Sequence, residues 1–186
     1  MTATVPVVDL LALHRAAIGV AQDVIDGVTS DQFDLPTPCS EWNVRQLLTH
    51  LIGGNLRTAG HPPEPDVDIV GLDPAARYAT ASAMAIEAFE APGGLVRDYQ
   101  LSMGRVPGPQ AIRNRISDQL AHAWDLARAT GQPTDRDPEL YEAALELSRQ
   151  RFAATPGPTG LFADEQAPQA EAGASDRFVA FLGRQV

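Results

Sequence analysis

The sequence predicts an all-α protein: a four-helix bundle with short appended helices and one small extended segment. Three observations predict it. Apolar residues recur at spacings of three and four along several long stretches, prolines and glycines fall between those stretches, and no internal repeat is visible. Helices with one apolar face bury it against each other, which favours a bundle. The 186 residues suit one domain, spanning 1–186.

The first two helices are predicted from apolar spacing and capping residues. The first covers about 8–27, and polar residues interrupt it too often for a signal peptide. The second begins at Asn43, whose side chain can accept from free backbone N–H groups. Gln46, three residues on, completes a capping-box pattern. This helix is expected to end before His61, which two prolines follow.

The third helix and the segment after it are separated by glycine and proline. Asp73 is the expected cap and Pro74 occupies the first turn, where its missing N–H costs nothing. The helix runs to about residue 91. Residues 95–109 are predicted to be extended, with turns at Gly104 and at 107–108.

The last three helices are predicted from the same signals. The fourth covers about 109–130 and is stopped by Gly131, and the fifth covers about 138–154. Glycines and a proline within 157–160 are expected to end the fifth helix. A short final helix is predicted over 175–182.

Composition excludes several classes of partner. The formal net charge is −10, and all 14 basic residues are arginine. No basic stripe is present to replace the counterions of nucleic acid, and the negative charge disfavours an anionic membrane surface. No apolar run approaches the roughly 20 residues of a membrane span. One cysteine excludes an internal disulfide, so we expect a cytoplasmic protein.

Three residues on two predicted helices carry the chemistry. Asp118 and His122 are four apart on the fourth helix, so they lie on one face, and His50 lies on the second. Neighbouring helices of a bundle can direct such side chains at one ion. Two imidazoles and a carboxylate suit Zn²⁺, and also Ni²⁺, Fe²⁺ or Mn²⁺. From spacing alone, a core histidine paired with Asp118 remains the alternative.

Longer motifs surround these residues. Residues 36–51 read PTPCSEWNVRQLLTHL, residues 122–131 read HAWDLARATG, and residues 176–184 read DRFVAFLGR. The first segment resembles the PTPCxEWxVxxLxxHL signature of actinobacterial DinB-like proteins, which are relatives of the N-terminal domain of mycothiol-dependent maleylpyruvate isomerase. The second resembles their HxWDLARATG signature, and the third their terminal segment. The resemblance spans nearly the whole chain.

The resemblance implies a fold and a metal site. It implies a DinB-like four-helix bundle that holds a divalent metal through His50, Asp118 and His122. The isomerase carries glutamate where this chain has Asp118, so the ligand here is one methylene shorter. The resemblance therefore does not fix the identity of the metal, for which zinc is the first expectation. The isomerase also has a C-terminal domain without a counterpart in this sequence, so isomerase activity is not transferred.

Three functions remain open on the sequence. The first is a metal-dependent thiol transferase or isomerase-like enzyme, in which mycothiol, the thiol that the resemblance implies, attacks a small electrophile. The second is a non-catalytic metal-binding or regulatory module, and the third is a metal-dependent hydrolase. A deep cavity containing an arginine beside the metal would favour an enzyme. A homodimer is a further expectation.

Two charged residues are candidates to assist the site. Asp125 follows His122 by three residues and could orient its imidazole, or else pair with Arg128 on the surface or brace a loop. Arg115 lies one turn before Asp118 and is the best candidate to bind an anionic substrate group, ahead of Arg105 and Arg113. The alternative for each arginine is a surface salt bridge worth roughly 0–1 kcal/mol.

The remaining candidates are expected to be structural. Cys39 precedes the second helix with no histidine near it in sequence, which predicts a buried structural thiol. Trp42 and Trp124 flank the motifs and are expected to pack in the core with their indole N–H groups bonded; the alternative is that either lines the pocket wall. His14, on the apolar face of the first helix, is expected to be a core histidine with its nitrogens bonded; the alternative is that it approaches the metal pocket.

Overall fold

The computed structural model describes residues 9–102, 104–154, 165–168 and 171–186. Within these ranges the protein is mainly helical, as predicted, but a two-stranded antiparallel sheet means that it is not strictly all-α. None of the helices in the described ranges combines the length and apolar character needed to cross a membrane. The elements, besides a 3-10 turn at Ser30–Gln32, are α1 Leu10–Ile25, α2 Val44–Thr58, α3 Pro74–Glu90, β1 Asp98–Leu101, β2 Gly104–Pro107, α4 Gly108–Thr130, α5 Pro138–Ala154 and α6 Ala174–Phe181.

The predicted capping box at the start of α2 is confirmed. Asn43 Oδ1 accepts from the Gln46 backbone N–H at 2.9 Å, and Gln46 Oε1 accepts from the Asn43 N–H at 3.0 Å. These bonds satisfy two backbone donors that lack helical partners. Asp9 caps α1, whose predicted first residue, Val8, lies outside the described residues.

The other helix ends follow the sequence closely. Asp73 Oδ1 accepts from the Ala76 N–H at 2.9 Å at the start of α3. Gly131 adopts the left-handed conformation, with φ of 71°, and ends α4 as predicted. The final helix begins one residue earlier than expected, at Ala174. The signals at 157–160 that were expected to end α5 lie outside the described residues.

The extended segment between α3 and α4 is a hairpin. Its register pairs Asp98 with Pro107 and Leu101 with Gly104. The predicted turn at 107–108 is wrong, because Pro107 ends β2 and Gly108 already begins α4. A Cβ at Gly108 would lie 2.6 Å from the Leu95 carbonyl oxygen, so only glycine permits this close approach.

Helix α4 lies at the centre of the protein. It contacts α1, α2, α5, α6 and both strands, while α3 packs on α1 and α2. Trp124 is buried in this core as predicted, and its indole N–H donates to Asp176 Oδ1 at 2.8 Å, which fastens α6 to α4. The fully buried side chains include Leu47, Leu48 and Leu51 of α2 and Ile112, Ile116 and Leu120 of α4. Because α2 also contacts α4, the two helices lie side by side and their motifs meet.

Candidate functional site

His50, Asp118 and His122 lie together between α2 and α4. His50 Nε2 is 3.0 Å from Asp118 Oδ1, and His122 Nε2 is 3.5 Å from the same oxygen. One ligand atom from each residue lies within 4.8 Å of the others. The two imidazole rings are 4.9 Å apart between centroids. The geometric expectation from the sequence, that these three side chains converge, is therefore met.

Asp118 is held as a carboxylate by its neighbours. Burial favours its neutral form, but the imidazole of His50, the guanidinium of Arg115 and hydrogen bonds from both histidines hold the pKa of Asp118 well below its usual value. Arg115 Nη1 donates to Asp118 Oδ2 at 2.6 Å. Oδ2 thus bonds the arginine and also lies 3.2 Å from His50 Nε2, whereas Oδ1 faces both histidines.

Arg115 is anchored in a buried polar network. Its side chain is only 6% exposed, and its Nη2 donates to Asn55 Oδ1 at 2.7 Å. Gln119 Nε2 donates to the same oxygen at 2.7 Å, and the Tyr78 hydroxyl donates to Gln119 Oε1 at 2.7 Å. Asn55 in turn donates to Ser82 Oγ at 2.9 Å. Buried polar chains of this kind fix side-chain positions, so Arg115 is a rigid support for the carboxylate.

His122 is oriented from behind by Asp125. The imidazole Nδ1 lies 2.9 Å from Asp125 Oδ2, and because an ionised carboxylate only accepts, Nδ1 carries the hydrogen. Burial alone would lower the pKa of His122, but hydrogen bonds to Asp118 and Asp125 raise it to about 9. Arg184 donates to Asp125 from Nη2 at 2.9 Å. Asp125 thus contacts both the imidazole of His122 and Arg184 of the segment after α6, whereas Arg128 lies over the Trp124 ring instead.

Trp42 packs against the edge of the core and forms one wall of the site, so the alternative expected for it holds. Its ring lies 4.4 Å from the His50 ring between centroids, with an interplanar angle of 33°, and 5.6 Å from the His122 ring. Trp42 is partly exposed, whereas Trp124 is buried. The segment before α2 therefore supplies an aromatic face beside both histidines.

Cys39 is closer to the site than its sequence position indicates. Its thiol lies within 4.8 Å of ligand atoms of His122 and Asp125, and the residue is partly exposed. The prediction of a buried structural thiol without a histidine nearby is therefore corrected. Burial raises the pKa of the Cys39 thiol, although the charge of Arg184 opposes this. The thiol is thus neutral near pH 7, unlike an activated nucleophile.

Two cavities adjoin the three residues. The first has a volume of about 90 Å³ and is lined by His50, Asp118, His122, Arg57, Arg115, Arg151 and Arg184, with Leu101 and Ser102 of the hairpin. The second, of about 310 Å³, is lined by Trp42, Gln46, Thr49, His50, Gly53, Arg57, Pro63 and Ile69. The imidazole of His50 and the guanidinium of Arg57 border both cavities. Small molecules can therefore approach the residues from two sides.

The other predicted candidates lie apart from this cluster. Arg105 pairs with Asp98 at 2.9 Å, and both side chains are exposed on the hairpin, which agrees with the alternative of a surface salt bridge. Arg113 donates to a carbonyl of its own helix. His14 is buried against Phe89, but its Nε2 has no partner among the described residues, contrary to expectation. Burial, with the charge of Arg115, lowers the pKa of His14 to about 3, so this core imidazole is neutral.

Sequence reasoning missed several residues of the site. Arg57 lies seven residues after His50 on the same helix face, a spacing that could have found it. Arg184 lies within the terminal motif, which also offered a signal. Arg151 carries no local signal, because only the packing of α5 against α4 brings it to the cavity. Asn55, whose oxygen accepts from Arg115, is likewise visible only in three dimensions.

Comparison with known proteins places these residues in a wider context. The family described as the mycothiol maleylpyruvate isomerase N-terminal domain matches residues 14–94, which include His50. Two uncharacterized proteins of Mycobacterium tuberculosis, from strains CDC 1551 / Oshkosh and H37Rv, are each 43% identical to the chain over 184 residues. Each alignment covers 96% of this chain and 99% of the relative. No solved structure matches the chain at a significant level.

Proposed function

The chain belongs to the mycothiol maleylpyruvate isomerase N-terminal domain family, and we propose that it is a metal-dependent thiol transferase or isomerase-like enzyme. It binds one divalent cation, for which zinc is the first candidate, through His50, Asp118 and His122. It then joins a low-molecular-weight thiol, mycothiol, to a small electrophile. The observation that carries the proposal is the convergence of three ligand atoms from two helices. The choice of mycothiol as the thiol rests on the description of the family.

The spacing of the ligand atoms supports a shared cation. A tetrahedral ion with bonds of about 2.0–2.1 Å separates its ligand atoms by about 3.3 Å. The distances from Asp118 Oδ1 to His50 Nε2 and His122 Nε2 are 3.0 and 3.5 Å. Nitrogen and carboxylate oxygen are the donors that zinc prefers after thiolate. The two distances to Asp118 Oδ1 therefore bracket the spacing expected around a zinc-sized ion, and the third ligand atom lies within 4.8 Å of the others.

The residues behind the ligands support the same proposal. Asp125 accepts from His122 Nδ1 and so leaves Nε2 as the imidazole atom that can bind a cation. Arg115 bonds one oxygen of Asp118 and leaves the other for an ion. Metal-binding histidines and carboxylates usually have such partners, which fix tautomer and orientation. Three protein ligands also leave positions open, as in catalytic zinc sites.

A cation held there would favour the deprotonated form of a thiol and so increase its nucleophilicity. The chain's own residues bind and orient the reactants. Trp42 provides a flat apolar face, and the two cavities that meet at His50 and Arg57 give each of two reactants its own approach. The thiol would lose its proton to solvent as its sulfur bonds the electrophilic carbon. That carbon would in turn release its leaving group or, at a double bond, pass the π electron pair to the neighbouring atom, which takes a proton from solvent. An arginine-lined cavity favours an enzyme over a closed binding module.

The proposed architecture is a DinB-like four-helix bundle within a single domain. Helix α1 contacts α3 and α4, and α2 contacts the same two helices, so the four form a closed ring of neighbours. The buried core draws residues from this ring and from α5 and α6. A bundle of this kind commonly places metal ligands on facing helices.

Metal binding is tested directly on untagged protein, since a histidine tag could supply ligands. We expect one zinc or cobalt ion per chain by elemental analysis and titration. Replacing His50 or His122 with alanine should weaken binding by more than about 100-fold, beyond the usual loss from a supporting residue. His61→Ala is the matched control, because His61 is exposed in a loop. Equal affinity in all variants would refute the ligand assignment.

Thiol chemistry is tested on the cobalt-loaded protein. Adding mycothiol should change the visible spectrum of cobalt, and the protein should consume a reactive electrophile only when thiol is present. A spectrum that does not respond to the thiol contradicts the proposed thiol transferase. Thiol-independent hydrolysis would assign the site to a hydrolase, and metal binding without turnover would assign it to a binding or regulatory module.

A further inference from the structure

The smaller cavity concentrates positive charge in an acidic protein. The chain carries 24 acidic residues and 14 basic ones. The cavity wall reverses this balance, because Asp118 is its one carboxylate among the described residues. Against that single negative charge the wall presents four arginines, namely Arg57, Arg115, Arg151 and Arg184. A cavity with this excess attracts anions from solution.

Two of the four arginines are committed to carboxylates. Arg115 donates to Asp118 at 2.6 Å, and Arg184 donates to Asp125 at 2.9 Å. These pairs support the candidate metal ligands, and their charges are largely balanced. Arg115 and Arg184 therefore add little net positive charge to the cavity, and the excess comes from the other two arginines.

Arg57 and Arg151 have no carboxylate partner within the described parts of the chain. Each is half-buried, so its charge has lost part of its hydration. Burial lowers the pKa of both guanidinium groups; the nearby charge of Arg115 lowers that of Arg57 further, whereas the charge of Asp118 raises it. A guanidinium stays charged in proteins, so both side chains bring a positive charge to the cavity that they line. An oxyanion in that cavity is stabilised by charge-assisted hydrogen bonds from guanidinium groups.

We propose that Arg57 and Arg151 form an anion subsite that binds the carboxylate of a small organic acid beside His50, Asp118 and His122. The identification of this acid as the electrophile rests on the proposed function, whereas the binding of the anion rests on the arginines alone. Arg57 projects from α2 and Arg151 from α5, so the subsite joins the helix of the first ligand to a helix that carries none.

The size of the cavity limits the ligand. A volume of about 90 Å³ accommodates about six water-sized groups at roughly 15 Å³ each. A carboxylate with a short carbon chain fits this space. Larger parts of a reactant would extend towards the second cavity, which Arg57 also borders. The space beside Arg57 and Arg151 therefore suits a compact carboxylate-bearing group.

Anion binding is measured first on metal-free protein, so that coordination to a metal cannot contribute. The probes are propionate and its neutral isostere propionamide, titrated at constant ionic strength and followed by NMR. We expect propionate to bind at least about tenfold more tightly, since a hydrogen bond to a charged group is worth roughly 1.5–3 kcal/mol. Equal binding of acid and amide in the wild-type protein would overturn the subsite without any variant.

Variants then assign the subsite. Arg57→Gln and Arg151→Gln should each weaken propionate binding by about tenfold. Arg105→Gln, which removes an exposed arginine on the hairpin, should leave it unchanged. If neither cavity variant differs from Arg105→Gln, the assignment is wrong. Zinc titration of the wild-type protein separates the two proposals. If the wild type does not bind zinc, the metal site alone is refuted. If it does not prefer propionate to propionamide, the anion subsite alone is refuted.

Discussion

Substitution of Gly54 with alanine tests whether Arg115 holds the site from behind. A Cβ at Gly54 would lie 2.4 Å from Arg115 Nη1 and 2.9 Å from its Cζ. Such contacts are too short, so the guanidinium would have to leave its place. It would then lose its bonds to Asp118 at 2.6 Å and to Asn55 at 2.7 Å. The substitution therefore removes an arginine's contacts without altering that arginine.

The expected loss follows from two opposing effects. Alanine inside a helix is about 1 kcal/mol more favourable than glycine. Breaking a buried ion pair costs about 3–5 kcal/mol, and this pair lies towards the lower end because the Asp118 side chain is 25% exposed. The Gly54→Ala protein should thus be less stable by about 2–3 kcal/mol. At an m-value of about 2 kcal/mol per molar urea, the unfolding midpoint falls by about 1 M.

The neighbouring glycine provides the matched control. A Cβ at Gly53 would lie 3.5 Å from Arg57 Nη2 and from Ile69 Cδ1, which is ordinary van der Waals contact. Gly53→Ala should therefore raise the free energy of unfolding by about 0.5–1 kcal/mol through helix propensity. Both free energies are measured on metal-free protein by urea titration with circular dichroism. If Gly54→Ala is as stable as Gly53→Ala, the guanidinium of Arg115 is not held beside Gly54.

Two further predictions concern His122. Asp125→Asn removes the charge that orients His122 and pairs with Arg184, so zinc affinity should fall by about 10–100-fold, as measured by competition with a chelating dye. Asp98→Asn, at an exposed position, should leave it unchanged, and equal losses would contradict the role of Asp125. Because the pKa of His122 is raised to about 9, zinc must displace a proton at pH 7. Affinity should rise about tenfold per pH unit up to pH 9 and then level off; a flat profile would show that this imidazole is not a ligand.

The elements could be predicted from the sequence because their signals are local. Asn43 and Gln46 satisfy each other across one helical turn, and Gly131 ends α4 through its own backbone conformation. The start of α4 was misplaced by one residue because it depends on a non-local contact. Gly108 meets the carbonyl of Leu95 across the hairpin, and no pattern within a single helix reveals that distance.

The candidate site divides in the same way. Asp118 and His122 are related by helical spacing, and a motif containing His50 indicated the third side chain. Trp42 was assigned to the core because a tryptophan beside an apolar face usually packs there. Its position beside His50 and His122 depends on how the segment before α2 packs against α4, which is a tertiary arrangement.

The aspartate at position 118 and the glycine at position 54 are parts of one arrangement. The missing side chain of Gly54 leaves room beside α2 for the guanidinium of Arg115, which lies one turn before Asp118. From there Arg115 bonds the far oxygen of a short carboxylate, while the near oxygen reaches both imidazoles. A glutamate would carry its carboxylate one methylene further from the helix and away from this support. The aspartate thus places its carboxylate where the buried arginine at i−3 bonds Oδ2 and Oδ1 lies within 3.5 Å of a nitrogen of each imidazole.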